Sequence, residues 1–244
     1  VVLLRCRAEL RRVTARDLVL CGASGVLLAL HFLTWFESLK RTSVASSTVL
    51  VSTEVIFTAL GFALFLHGKI PRLGVWDILL AFGGSALLAL SGGGGAGELS
   101  GNLLALAAAS AAAVYTLIGR IQRGHLSTTV YTFLTYLACF LTLLLGTAAA
   151  GTPLTGYGGR EWLIGLALAV LCTLLGHSLF SWCLKYLSPS YVSAAKLCEP
   201  VFSSLAAIPL FGEVPGPLQL AGGAAVLGAV LLYTWAEREK TPAG

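Results

Sequence analysis

From Leu18 to Trp235 the chain alternates between long apolar runs and short turn-rich breaks, among them HGKIPRLG, SGGGGAGELSG, GTPLTGYGGR and FGEVPGP. A helix needs about 20 apolar residues, at roughly 1.5 Å each, to cross the hydrocarbon core of a bilayer. Runs of that length fall near 18–38, 43–66, 74–91, 101–120, 128–150, 161–184, 190–211 and 217–235, which predicts eight full spans. Period-2 alternation with regular turns does not recur, which argues against a transmembrane barrel. Only 11% of residues are charged, where a soluble domain has about 25%, so these charges cannot cover a water-facing surface. The expected class is an all-α polytopic transmembrane helix bundle with the lipid bilayer as its surroundings.

Charge then bears on orientation rather than on partners. The net charge of +5 is scattered over short connections and forms no basic face, so no nucleic-acid partner is expected. With the first basic segment placed in the cytoplasm and the spans alternating, twelve Lys and Arg fall inside. Lys40, Arg41 and Arg160 fall outside, and Lys196 lies within a span. That bias predicts a cytoplasmic C-terminus and an even number of spans. Five of the six cysteines (Cys21, Cys139, Cys172, Cys183, Cys198) lie in apolar runs without CxxC spacing and read as buried free thiols. Neither a metal site nor a cofactor is expected.

An internal repeat carries the functional argument. Shifted by 145 residues, LKRTSVASSTVLVSTEVIFTAL (39–60) falls on LKYLSPSYVSAAKLCEPVFSSL (184–205), matching Lys40 with Lys185, Ser43 with Ser188, Glu54 with Glu199 and Phe57 with Phe202. HFLTW (31–35) is echoed by HSLFSW (177–182), and FGGSALLAL (82–90) by AGGAAVLGA (221–229). In the predicted topology the span holding Glu54 runs inward and its mate outward, so the two copies are inverted. Inverted copies place substrate sites near the bilayer midplane at the repeat interface and give alternating access by rocking.

HFLTWFESLKRTSVASSTVLVSTEV, GNLLALAAASAAAVYTLIGR and EPVFSSLAAIPLFGE with LAGGAAVLGA resemble EamA-type members of the drug/metabolite transporter (DMT) superfamily. The resemblance runs over nearly the whole chain. It implies inverted five-helix repeats, of which this chain, which contains no Met, would lack the first helix and most of the second. On that pattern 1–91 is the first, N-terminally incomplete repeat, 92–100 a Gly-rich link, 101–236 the second repeat and 237–244 a cytoplasmic tail. Pro200 followed by Gly212-Glu213 matches the family's closing signature. The first repeat departs from it, with Val55 where proline is usual and Lys69 where an acid is usual. The resemblance implies a secondary transporter that exports small polar metabolites, amino-acid-like or drug-like, in a bacterial cytoplasmic membrane.

Glu199 lies about 14 Å into its span and Glu54 at a similar depth, where an ionised side chain costs about 2.5–3.5 kcal/mol on insertion scales. Such residues persist where they face a wet cavity or are paired, and Lys196 and Glu199 at i,i+3 can neutralise one another. Pro200 cannot donate to the carbonyl of Lys196, so a helix kink is expected there. His31 with Trp35, and His177 with Trp182, complete the expected substrate-binding set; interhelical hydrogen bonding is the alternative role for each histidine. Gly83, Gly84, Gly222, Gly223 and Gly228 are expected helix-packing positions, with AAASAAA (107–113) a further small-residue face. Proton coupling through Glu54, Glu199 or a histidine, and assembly as a homodimer, are open expectations. The rival readings are an intramembrane serine protease using Ser24 of GASG with His177, and a non-transporting scaffold.

Overall fold

The computed structural model describes residues 6–42, 44–70, 72–90, 99–199, 201–202, 205, 208–209 and 216–238. The expected kink at Pro200, the Gly212-Glu213 pair, most of the link at 92–100 and nearly all of the tail lie outside the described residues. Among those described there is no strand. The helices are α1 (Arg7–Leu10), α2 (Ala15–Leu39), α3 (Val44–Ser52), α4 (Glu54–Phe65), α5 (Arg72–Leu90), α6 (Leu99–Gln122), α7 (Thr128–Ala149), α8 (Gly159–Ala167), α9 (Ser178–Cys183), α10 (Pro189–Lys196) and α11 (Pro217–Arg238). A π-helical segment, Leu168–His177, joins α8 to α9.

Five stretches among the described residues are long and apolar enough to cross a membrane: Ala15–Leu39, Ser47–Phe65, Leu99–Gln122, Thr128–Ala149 and Gly159–Cys183. The remaining expected spans fall on α5, on the region of α10, and on α11. Local chemistry explains two helix starts. Thr14 and Asp17 form a reciprocal cap at the head of α2: the Asp17 amide donates to Thr14 Oγ1 at 3.2 Å, and the Thr14 amide to Asp17 Oδ2 at 3.0 Å. Ser127 caps α7 by accepting from the Val130 amide at 3.2 Å.

The chain forms two compact units, each drawing on both halves of the sequence. One takes its residues from 1–30 and 114–188, the other from 31–113 and 189–244. In the first, Cys21, Leu126, Val130 and Tyr131 make a buried cluster, with Leu10, Val13 and Leu134 packed on it. A Cβ on Gly25 would collide with the Thr135 carbonyl and Ala138, so the glycine is what lets α2 lie against α7. Arg120 donates to the carbonyls of Leu184 at 2.6 Å and Lys185 at 3.2 Å, satisfying acceptors that the end of α9 leaves open. Arg123 donates to Ser181 O at 2.9 Å and to Leu126 O; burial lowers its guanidinium pKa from the ordinary value.

In the second unit Val55 and Ala59 of α4, Ile78 and Ala81 of α5, Ala194 of α10, and Val226 and Ala229 of α11 share one buried core with Leu197 and Val201. Helices α5 and α11 meet on small residues: a Cβ on Gly84 would sit 2.8 Å from the Gly222 carbonyl and 3.0 Å from Ala225 Cβ. Gly222 and Gly223 are buried. The close approach does not extend to Gly83 or Gly228, where an added Cβ would meet nothing within 4 Å. Ala108, Ala109, Ala112 and Ala113 of α6 are buried as well.

Candidate functional site

Two interrupted helices define the site, and both lie in the second unit. Between α3 and α4 the chain tightens into a turn at Thr53, and after α10 it does so at Leu197 and Cys198. At the first break the Thr53 amide donates to Leu50 O at 3.1 Å, and Thr53 O accepts from the amides of Ile56 at 2.9 Å and Phe57 at 3.2 Å. At the second, the Cys198 amide donates to Ala195 O at 3.2 Å, and Cys198 O accepts from Val201 at 3.0 Å and Phe202 at 3.1 Å. Every residue of the second set stands 145 positions after its counterpart in the first, the same shift that aligns the sequence repeat. The backbone therefore breaks the two helices at the same register.

The breaks place opposite charges on favourable helix ends. Glu54 occupies the first turn of α4 and Lys196 the last turn of α10, where the helix dipole favours an anion and a cation respectively. Lys196 Nζ donates to Glu54 Oε1 at 2.6 Å, and both side chains are largely buried, 16% and 11% exposed. Glu199, the i,i+3 neighbour expected to pair with Lys196, stands three residues further on. Glu199 is accessible, and it lies within electrostatic range of both Lys196 and Glu54.

His31 is buried and also within electrostatic range of the pair. Its Nδ1 lies 3.0 Å from the Ala108 carbonyl, which can only accept, so Nδ1 carries the hydrogen and Nε2 remains an acceptor. Trp35 packs on His31 with ring centroids 5.8 Å apart, and its indole N–H is buried without a hydrogen-bond partner. Three hydroxyls in the same unit that sequence reasoning did not single out share that condition: Thr58 on α4, and Ser190 and Ser193 on α10. Thr58 is one turn beyond Glu54 and Ser193 one turn before Lys196, so each lies on the face of its helix that carries the charge. Buried polar groups left without protein partners are what water or a ligand satisfies. The periodicity that places these hydroxyls is visible in the sequence, but their lack of partners is not.

His177 and Trp182 belong to the first unit and do not stand together. His177 meets Tyr115 edge-on at 5.9 Å, while Trp182, 49% exposed, lies against Tyr186 at 5.0 Å. Their spacing of five residues accounts for the separation. The serine of the GASG stretch bonds Tyr131, with Ser24 Oγ 2.8 Å from its hydroxyl. Together with Gly25 against α7, this makes GASG a packing and hydrogen-bonding surface. No group of three metal-ligating side chains occurs among the described residues.

An all-helical, multi-span bundle with broken helices holding a buried ion pair has the features of a membrane carrier. Comparison with known proteins agrees. The EamA-like transporter family matches residues 3–90 and 99–235, and the chain belongs to that family. It is a multi-pass membrane protein and a transporter. It is 24% identical over 207 residues to the pseudopaline exporter CntI of Pseudomonas aeruginosa, covering 85% of this chain and 72% of that one. It is 28% identical over 233 residues to a probable terminal-alkyne amino-acid exporter of Streptantibioticus cattleyicolor, covering 91% and 75%. A solved crystal structure shares the fold with a TM-score of 0.74 at 21% identity, covering 96% of this chain and 84% of that chain.

Proposed function

We propose that the protein exports small zwitterionic, amino-acid-like metabolites by alternating access, and that the substrate is bound by opening the Glu54–Lys196 ion pair. The observation that carries this reading is the buried ion pair at two helix breaks of identical register. Breaks at corresponding positions of two repeats are where secondary transporters hold their ligands.

The electrostatics favour a zwitterion. Removing one partner of a buried pair leaves an uncompensated charge and costs about 3–5 kcal/mol. A ligand with one charge would leave either Glu54 or Lys196 in that condition. A zwitterion supplies both replacements, its carboxylate to Lys196 and its ammonium to Glu54, with Glu199 as a second anion in range of the ammonium. The Trp35 indole N–H offers a donor and His31 Nε2 an acceptor for the rest of the ligand. The relatives named as exporters, one of them of an amino acid, support the substrate class. The Lys and Arg bias supports a cytoplasmic C-terminus, and the bacterial relatives support the inner membrane.

Counterflow in proteoliposomes tests the reading. Neutral amino acids are expected to exchange, whereas their amides and decarboxylated amines are not. Lys196→Gln is expected to lower amino-acid exchange roughly tenfold or more, the equivalent of about 1.4 kcal/mol. Equal exchange of the amino acid and its amide by the wild-type protein would refute the zwitterion assignment.

A further inference from the structure

We propose that Asp77 is a proton-carrying site through which transport responds to a pH gradient; its consequence for flux rests on the transport reading above. Asp77 lies on α5, five residues after Arg72, and is 4% exposed. Its Oδ2 is buried and makes no hydrogen bond. It therefore differs from Glu54, whose charge is met by Lys196 at 2.6 Å.

The elements around Asp77 supply little to hold an ionised carboxylate. Helix α3, which packs on α5, reads VASSTVLVS and carries no titratable side chain. Helix α11, the other neighbour, has Tyr233, Glu237 and Arg238 as its only titratable residues, and their side chains lie outside the described residues. On α5 itself Arg72 is exposed. Of the two remaining helices that share the core, α4 carries Glu54, and α10 carries Lys196 and the partly buried Tyr191. A lone buried carboxylate charge is strongly disfavoured, whereas the neutral acid is tolerated. A metal cation does not substitute well, because hard cations take several oxygen ligands and Asp77 belongs to no group of three metal-ligating side chains among the described residues. A proton needs a single oxygen.

The packing of α5 gives this acid a way to exchange its proton. Its contact with α11 includes Gly84 against Gly222, Ala225 and Val226, with Ile78 and Ala81 in the same core as Val226 and Ala229; this largely smooth, apolar seam has no polar lock to oppose a shift. When such a shift exposes Asp77 to water, the O–H bond breaks, the proton passes to water and the carboxylate remains. Reburial requires a proton to return. A proton taken up from one side and released to the other couples flux to the gradient.

The test uses the full chain in proteoliposomes and two assays, counterflow at equal pH and accumulation driven by an imposed pH gradient. Asp77→Asn keeps the size of the side chain but cannot titrate. It is expected to exchange substrate at the wild-type rate and to lose the response to the gradient, and Asp77→Glu is expected to retain that response. The proposal is overturned if Asp77→Asn responds to the gradient as the wild type does, if it loses counterflow as well, or if the wild type ignores the gradient. Infrared difference spectra of the wild type between acid and alkaline pH give a readout independent of transport. A protonated-carboxyl band that is lost at alkaline pH and shifts in Asp77→Glu supports the site, and its absence refutes it even where Asp77→Asn cannot be reconstituted. Absence of wild-type counterflow would sink the transport reading while leaving the infrared titration to decide the proton site.

Discussion

Lys196 stands between two carboxylates, one in contact and one in range, and this asymmetry makes the residues of the site unequal. Removing Glu54 leaves the lysine with Glu199 still nearby, so its charge keeps a partial counterpart. Removing Lys196 leaves Glu54 buried beside a second anion. Lys196→Gln is therefore expected to destabilise the protein by about 3 kcal/mol or more, in the range found for broken buried pairs. Glu54→Gln is expected to cost clearly less. Thermal unfolding of both variants in the same detergent checks the order, and equal losses would mean that Glu199 does not share in the site. The sequence places Glu54, Glu199, His31 and Trp35 in view because polar groups are conspicuous in apolar runs. It does not reveal the contact between Lys196 and Glu54, 142 positions apart, because such a pairing depends on how α4 and α10 pack.

At the scale of the helix, two kinds of interruption and approach shape the second unit. At Thr53 and Cys198 the helical hydrogen bonding tightens beside the ion pair, while Ser47–Phe65 remains one apolar stretch of span length. Their position is hard to infer from composition: STE and LCE share little beyond the glutamate, and only the 145-residue register shows them to be equivalent. Glycine pairs are legible as packing signals, but which member touches a neighbour depends on helix rotation. That distinction makes a sharp prediction. Gly84→Ala would push a methyl against the Gly222 carbonyl and Ala225, at a cost of about 1–3 kcal/mol for overpacking. Gly83→Ala, with open space around its Cβ, is expected to be neutral or to gain up to about 1 kcal/mol from helix propensity. Unfolding midpoints of the two variants measured side by side decide it, and equal losses would contradict the packing of α5 on α11.

For the whole molecule, the class of fold follows from apolar runs of bilayer length, and the repeat follows from a register that any alignment of the chain with itself exposes. The grouping of 31–113 with 189–244 does not follow from either, since it joins segments far apart in the chain through side-chain packing alone. The buried acid at Asp77 escapes notice for a related reason: one carboxylate near the start of an apolar run looks like an interfacial residue until its neighbours are known. What unites these features is a second unit in which the principal buried ion pair sits where two equivalent helices are broken. The most direct test is equilibrium binding of a neutral amino acid to the purified protein, compared between the wild type and the double variant Glu54→Gln with Lys196→Gln. The double variant retains the shape of the site without its charges. Binding by the wild type and a loss of about tenfold or more in the double variant, equal to about 1.4 kcal/mol, is the predicted result. Equal affinity in the two proteins would contradict the account.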